Sequence, residues 1–378
     1  MNFDFTEEQV MLRDSVARFI QDDYDFDTRR EIAGTEAGMN PDNWKTFAEL
    51  GWLSIPFAEE HGGFGGDTVD LMLVMEELGK GLVLEPYLAT VVLFGGLLSR
   101  GGTSEQQAEI IPKIIDGSCL GAFAYLERQS RFEMADVKTT AADQGDNVVL
   151  NGEKVVVFNG ASADHLIVSA RTSGEQSDES GISLFLVPTS ASGVSVTSYR
   201  LMDGQVVANI TLDNVEVPAA NLVGERDNGY AVMDQVVMEA NVALAAEAVG
   251  IMGQLNSKTL EYTKTREQFG VAIGSFQALQ HRMVDTFMCY EQTKSMLYRA
   301  VCAMTDAKED ARTAIHALKV IVDKHGRQVF GEAIQIHGGM GLTDELDIGH
   351  YAKRLMMIST TFGNGHHHQA KFNELRYN

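Results

Sequence analysis

Arg266-Glu-Gln-Phe-Gly270, running on to Gln277, and Gln335-Ile-His-Gly-Gly-Met-Gly341 are the stretches on which the reading of this 378-residue chain turns. Each closes a long amphipathic run and places glycine where the chain has to turn. The first joins an arginine, an aromatic and an amide. A guanidinium makes two-pronged, charge-assisted hydrogen bonds to phosphate, a phenyl face stacks, and Gln277 offers both a donor and an acceptor. Such a corner binds a diphosphate; the same residues also suit an ordinary helix-loop-helix with Gly270 as its cap. The second stretch shifts the balance toward a ligand, because Gly338 and Gly339 let one approach the backbone.

Outward from these stretches the hydrophobic period changes twice. Thr6 with Gln9 makes a capping-box pattern ahead of Val10, Leu12, Val16, Phe19 and Ile20, and helical spacing continues over 72–78, 88–98 and 105–115. The glycine loop His61-Gly-Gly-Phe-Gly-Gly66 interrupts it. From about Leu120 the period becomes that of strands: 148–150 and 155–158 flank Asn151-Gly152, which predicts a type I′ hairpin turn. Short β-branched runs follow at 166–169, 182–187, 194–196 and 209–212, with a polar loop over 172–180. After Gly224 long amphipathic helices are expected over 233–264, 277–304 and 306–336. The order is helices, strands, helices.

Composition limits the function classes. A hydrophobic fraction of 44% suffices for two or three cores, and a net charge of −23 disfavours nucleic acid and anionic membranes, whose phosphates need a basic face. A phosphate-bearing ligand stays open through helix N-termini and local Arg and Lys residues. Cys119, Cys289 and Cys302 are far apart and form no CxxC pair, which fits a reducing compartment and no zinc site. No run of about 18 uninterrupted apolar residues is present, and Met1 to Gln9 lack a signal-peptide pattern, so a soluble, cytoplasmic protein with no membrane partner is expected.

Together the two opening stretches resemble the flavin-binding signature of the acyl-CoA dehydrogenase family. The likeness runs through nearly the whole chain, including His61-Gly-Gly-Phe-Gly-Gly66, Asn151-Gly-Glu-Lys154, Asn159-Gly160 and Ala163-Asp164. It implies an acyl-CoA dehydrogenase-like fold with an N-terminal α-helical domain over 1–119, a middle β-domain over 120–223 and a C-terminal four-helix-bundle domain over 224–378. It implies FAD as cofactor. Arg266, Gln268, Phe269 and Gln277 would reach the FAD of a neighbouring subunit, and Gln335, Gly338 and Gly339 would contribute to the same site. A homo- or hetero-oligomer, dimer or tetramer, follows. The implied chemistry is α,β-dehydrogenation of an acyl-CoA substrate, with an electron-transferring flavoprotein as partner and no metal.

The departures from the family pattern concern the proton acceptor. Where short- and medium-chain members carry the catalytic glutamate, this chain reads Phe362-Gly363-Asn364-Gly365, and the position used by isovaleryl-type members is Ala240. The family's helical arginine is Asn241. Its Thr-Glu-Pro loop is Leu126-Glu-Arg-Gln-Ser-Arg131, and its Trp-Ile-Thr triplet is Val156-Val-Phe158, where Phe158 offers the flavin ring a stacking face but no hydrogen bond. Abstraction of an α-proton needs a carboxylate with a pKa raised by desolvation. Glu239 stands next to Ala240, about 100° around a helix; Glu247 lies two turns on, near the same face. Both suit surface or interhelical roles as well. His366-His-His368 reads as a solvated polar end, since adjacent side chains cannot close on one ion. These departures are similar to one branch of the family, the small subunits of two-subunit pimeloyl-CoA dehydrogenases, in which a partner subunit can hold the base.

Overall fold

The structure, a computed structural model of the chain, describes residues 4–306 and 310–377. Met1 to Phe3, read above for a signal peptide, and 307–309 of the expected helix over 306–336 lie outside the described residues. The helices are α1 (Glu7–Asp23), α2 (Phe26–Gly34), α3 (Pro41–Glu49), α4 (Thr68–Gly81), α5 (Gly96–Gly101), α6 (Ser104–Ile115), α7 (Gly229–Thr265), α8 (Gln277–Thr305), α9 (Ala311–His337), α10 (Ile348–Thr360) and α11 (Gly365–Tyr377). The capping box on α1 forms: Gln9 N donates to Thr6 Oγ1 and the Gln9 side chain accepts from Thr6 N. The run expected as a helix over 88–98 is π-helical over Tyr87–Gly95 before it tightens into α5.

The chain divides into two compact units, one of Met1–Glu31, Thr68–Val83 and Asn241–Asn378, the other of Ile32–Asp67 and Leu84–Ala240. The first unit is helical apart from one short hairpin after α7. α1 packs on α4, α8 on α9, and α9 on both α10 and α11. α4 and α7 touch backbone to backbone: a β-carbon on Gly250 would lie 2.0 Å from Glu76 O, so only glycine allows the crossing. By length and composition α7 could cross a membrane, yet 89% of its most apolar stretch is buried within the protein.

The second unit carries α3, α5, α6 and an eight-stranded sheet. Its strands are β1 (Gly121–Ala124), β2 (Thr140–Gln144), β3 (Asn147–Phe158), β4 (His165–Arg171), β5 (Ile182–Pro188), β6 (Val194–Arg200), β7 (Val206–Pro218) and β8 (Leu222–Val223), in the order β6-β7-β3-β2-β4-β5-β8 with β1 parallel to β4. Leu150, Val157, Leu166, Val168, Phe185, Ile210 and Val215 fill its core. Asn151-Gly152 is no hairpin turn, contrary to the sequence reading. β3 runs straight through it, and the register against β7 shifts between Leu150 and Gly152, as in a bulge. Gly152 is needed because Thr139 Oγ1 would sit 2.4 Å from its β-carbon.

Candidate functional site

The two opening stretches meet at one end of the helical unit. The Tyr262 ring, near the end of α7, stacks on His337 at the end of α9 with centroids 4.3 Å apart, and its hydroxyl donates to His337 O at 3.4 Å. That contact ties the arginine corner to the glycine loop. Beyond α7 the chain forms a two-residue hairpin of β9 (Glu267–Gln268) and β10 (Val271–Ala272), whose turn residues Phe269 and Gly270 have φ of 56° and 81°. Positive φ at both positions is the type I′ signature, strained for phenylalanine and free for glycine. The turn leaves Phe269 93% exposed, edge-on to Phe276 at 6.2 Å.

Every residue assigned to FAD on this unit faces solvent: Arg266, Gln268, Phe269, Gln277, Gln335, Gly338 and Gly339. Among the described residues no side-chain hydrogen bond or ion pair engages Arg266, Gln277 or Gln335. A β-carbon on Gly338 or Gly339 would meet nothing within 4 Å, and Gly338 has a φ of 62°. A bare guanidinium, free amides and an open glycine loop fit a diphosphate-bearing cofactor.

The carboxylates are held differently. Glu247 lies in a buried bidentate pair with Arg354, at 2.5 and 2.7 Å, so both of its oxygens are engaged. Glu239 accepts from Arg100 at 2.6 Å; burial pushes its carboxyl above the ordinary value, and Arg100 opposes that rise. At Gly363, where φ is 117°, a β-carbon would stand 2.6 Å from His367 Cδ2 and 2.8 Å from His368 Nε2. The histidines fill the space a longer side chain would need. His368 is not the solvated end expected from sequence, because it is 1% exposed and its Nδ1 lies 2.8 Å from His316 Nδ1. Burial, then Lys319 and the neighbouring histidines, pushes it down to about 2, so it is neutral. No metal-holding cluster occurs among the described residues. Nothing local in the sequence foretold these pairings, which join positions 52 and 107 residues apart.

In the other unit, Phe158 ends β3 and lines a cleft with Glu85, Leu88, Asn159 and Gln205. The backbone is strained there. Val156 and Asn159 have φ of 52° and 58°, and positive φ in a β-branched residue is rare. Nearby, Glu127 is clamped rather than open: Lys154 Nζ donates to it at 2.7 Å, the Thr139 and Lys138 amides at 3.0 and 2.8 Å, and Gln129 Nε2 at 2.9 Å. Burial alone would push Glu127 up, but Lys154 and these hydrogen bonds hold it at about 2. The sequence reading passed over Glu85; its signal was a lone acid in the apolar run Leu82-Val-Leu-Glu-Pro-Tyr-Leu88.

Comparison with known proteins agrees with this geometry. Three family models match in order: Acyl-CoA dehydrogenase, N-terminal domain (6–118), middle domain (122–215) and C-terminal domain (227–369). Among curated relatives, the probable acyl-CoA dehydrogenase YngJ of Bacillus subtilis is 34% identical over 359 residues, 92% of each chain. The caffeyl-CoA reductase-Etf complex subunit CarC of Acetobacterium woodii is 28% identical over 91% of each. Among solved structures, PigA with FAD and proline superposes with a TM-score of 0.92 at 26% identity, over 99% of this chain and 98% of that one. A chain of the ChsE4-ChsE5 complex from Mycobacterium tuberculosis gives 0.90 at 25%, again over 99% and 98%. The helix-strand-helix order and these matches along the whole chain make it a member of the acyl-CoA dehydrogenase family of flavoprotein oxidoreductases.

Proposed function

We propose that this chain is one subunit of a heteromeric acyl-CoA dehydrogenase, resembling the pimeloyl-CoA dehydrogenase small subunit. It would take part in α,β-dehydrogenation of a CoA thioester and deliver electrons to an electron-transferring flavoprotein. One observation carries the reading: among the described residues Arg266, Gln277 and Gln335 have no side-chain partner, while the position that the resemblance gives to the base is Gly363. Gly363 is walled by His367 and His368, and Glu247 is locked to Arg354. FAD, when bound, supplies the two-electron acceptor. Arg266 would hold its diphosphate, Gln268, Gln277 and Gln335 would hydrogen-bond around it, Phe269 and Phe158 would offer stacking faces, and Gly338 and Gly339 would leave it room. The base would then come from a second, related chain. The ChsE4-ChsE5 complex and the Etf-complex subunit CarC support assembly and electron transfer of this kind.

A second reading, a homo-oligomer with Glu239 as base, is favoured by the raised proton affinity of that half-buried carboxyl. Anaerobic stopped-flow with acyl-CoA separates the two. If the chain alone bleaches its flavin and Glu239→Gln slows this by about 10²- to 10⁴-fold, the second reading holds. No bleaching by the chain alone is the outcome expected of the first.

A further inference from the structure

The cleft beside Phe158 lies within one compact unit and contains a carboxylate that the chemistry above does not use. Its volume is about 40 Å³, more than one water requires, roughly 10–15 Å³, and far less than the several hundred Å³ that enclose a whole small molecule. It accommodates the end of a ligand. Met39, Leu84, Leu88, Phe158 and Val206 give it walls suited to an alkyl chain. Glu85, 4% exposed, is the acid among its lining residues, and Asn159 and Gln205 add amides. Glu85 Oε1 accepts from Asn43 Nδ2 at 2.9 Å and from Asn40 N at 3.4 Å. A carboxylate oxygen accepts hydrogen bonds, so a group that enters beside it and donates gains a bond there. A terminus that only accepts would gain no bond from a carboxylate oxygen, and a methyl group would gain only apolar contact.

We infer that this cleft receives a small hydrogen-bond-donating terminus, a hydroxyl or a protonated amine, at the far end of the acyl chain, with Glu85 as its specificity-determining residue. The inference rests on the acyl-CoA reading. Its test uses straight-chain thioesters from butanoyl- to dodecanoyl-CoA, each beside its ω-hydroxy and ω-amino counterpart, titrated into the holoprotein by calorimetry. The Met39 methyl is followed by ¹³C NMR. At one chain length or more, a substituted thioester is expected to bind at least about tenfold tighter than its parent, and to shift the Met39 methyl where the parent does not. Which arm shows the gain tells hydroxyl from amine. Glu85→Gln keeps an acceptor for Asn43 and takes away the carboxyl group, so a preference for the substituted thioester should fall about tenfold while the parent still binds. Thioesters that bind with no preference at any length would overturn the inference alone. Binding of no thioester at all would overturn the acyl-CoA reading together with it.

Discussion

A β-carbon at position 363 would lie within 2.8 Å of two histidines on a backbone with φ of 117°. Placing there the glutamate that the resemblance leads one to expect therefore meets both overpacking and left-handed strain. Gly363→Glu is expected to lose at least about 2 kcal/mol in urea unfolding and to gain no substrate-dependent bleaching; a variant of normal stability that bleaches would show the histidines to be movable. Glu247 gives the converse case. Replacing it with glutamine strands the buried Arg354, and breaking such a pair costs about 3–5 kcal/mol. The loss should appear in the unfolding midpoint, with bleaching kinetics of the folded fraction unchanged.

At the scale of elements, the stack of Tyr262 on His337 ties the hairpin after α7 to the loop after α9. Arg266→Ala should weaken FAD retention by about 1.5–3 kcal/mol, the worth of a charge-assisted contact, read as flavin remaining after dialysis; equal occupancy in both proteins would reduce the motif to a helix corner. The strand and loop around Glu127 carry a pH signature. Its folded value of about 2 lies below the ordinary 4.5, so its contribution is complete above 4.5 and is lost as pH falls toward 2. Urea midpoints measured down that range should drop for wild type and drop less for Glu127→Gln, which starts lower because Lys154 is left buried without its counter-charge. The sequence made the helices and most strands legible, since capping boxes and hydrophobic periods are local signals. It misplaced Asn151-Gly152, whose turn propensity yields to pairing with β2 and β7 on either side. It also could not show that His368 turns inward to His316, or that Glu239 and Glu247 have arginine partners, because those contacts join distant parts of the chain.

Over the whole molecule, the helical unit exposes more apolar surface than a solitary chain would be expected to keep: Phe269 at 93%, Leu342 at 78%, Val284 at 56% and Phe287 at 55%. Light scattering at micromolar concentration should give an oligomer, and a particle of single-chain mass would speak against that expectation. On the reading proposed above, the base comes from a partner chain. The measurement that bears on this most directly is native mass spectrometry of the tagged chain purified from its own cells. A second acyl-CoA dehydrogenase-type chain in equal amount, together with FAD, is the predicted result; an assembly of this chain alone would contradict it.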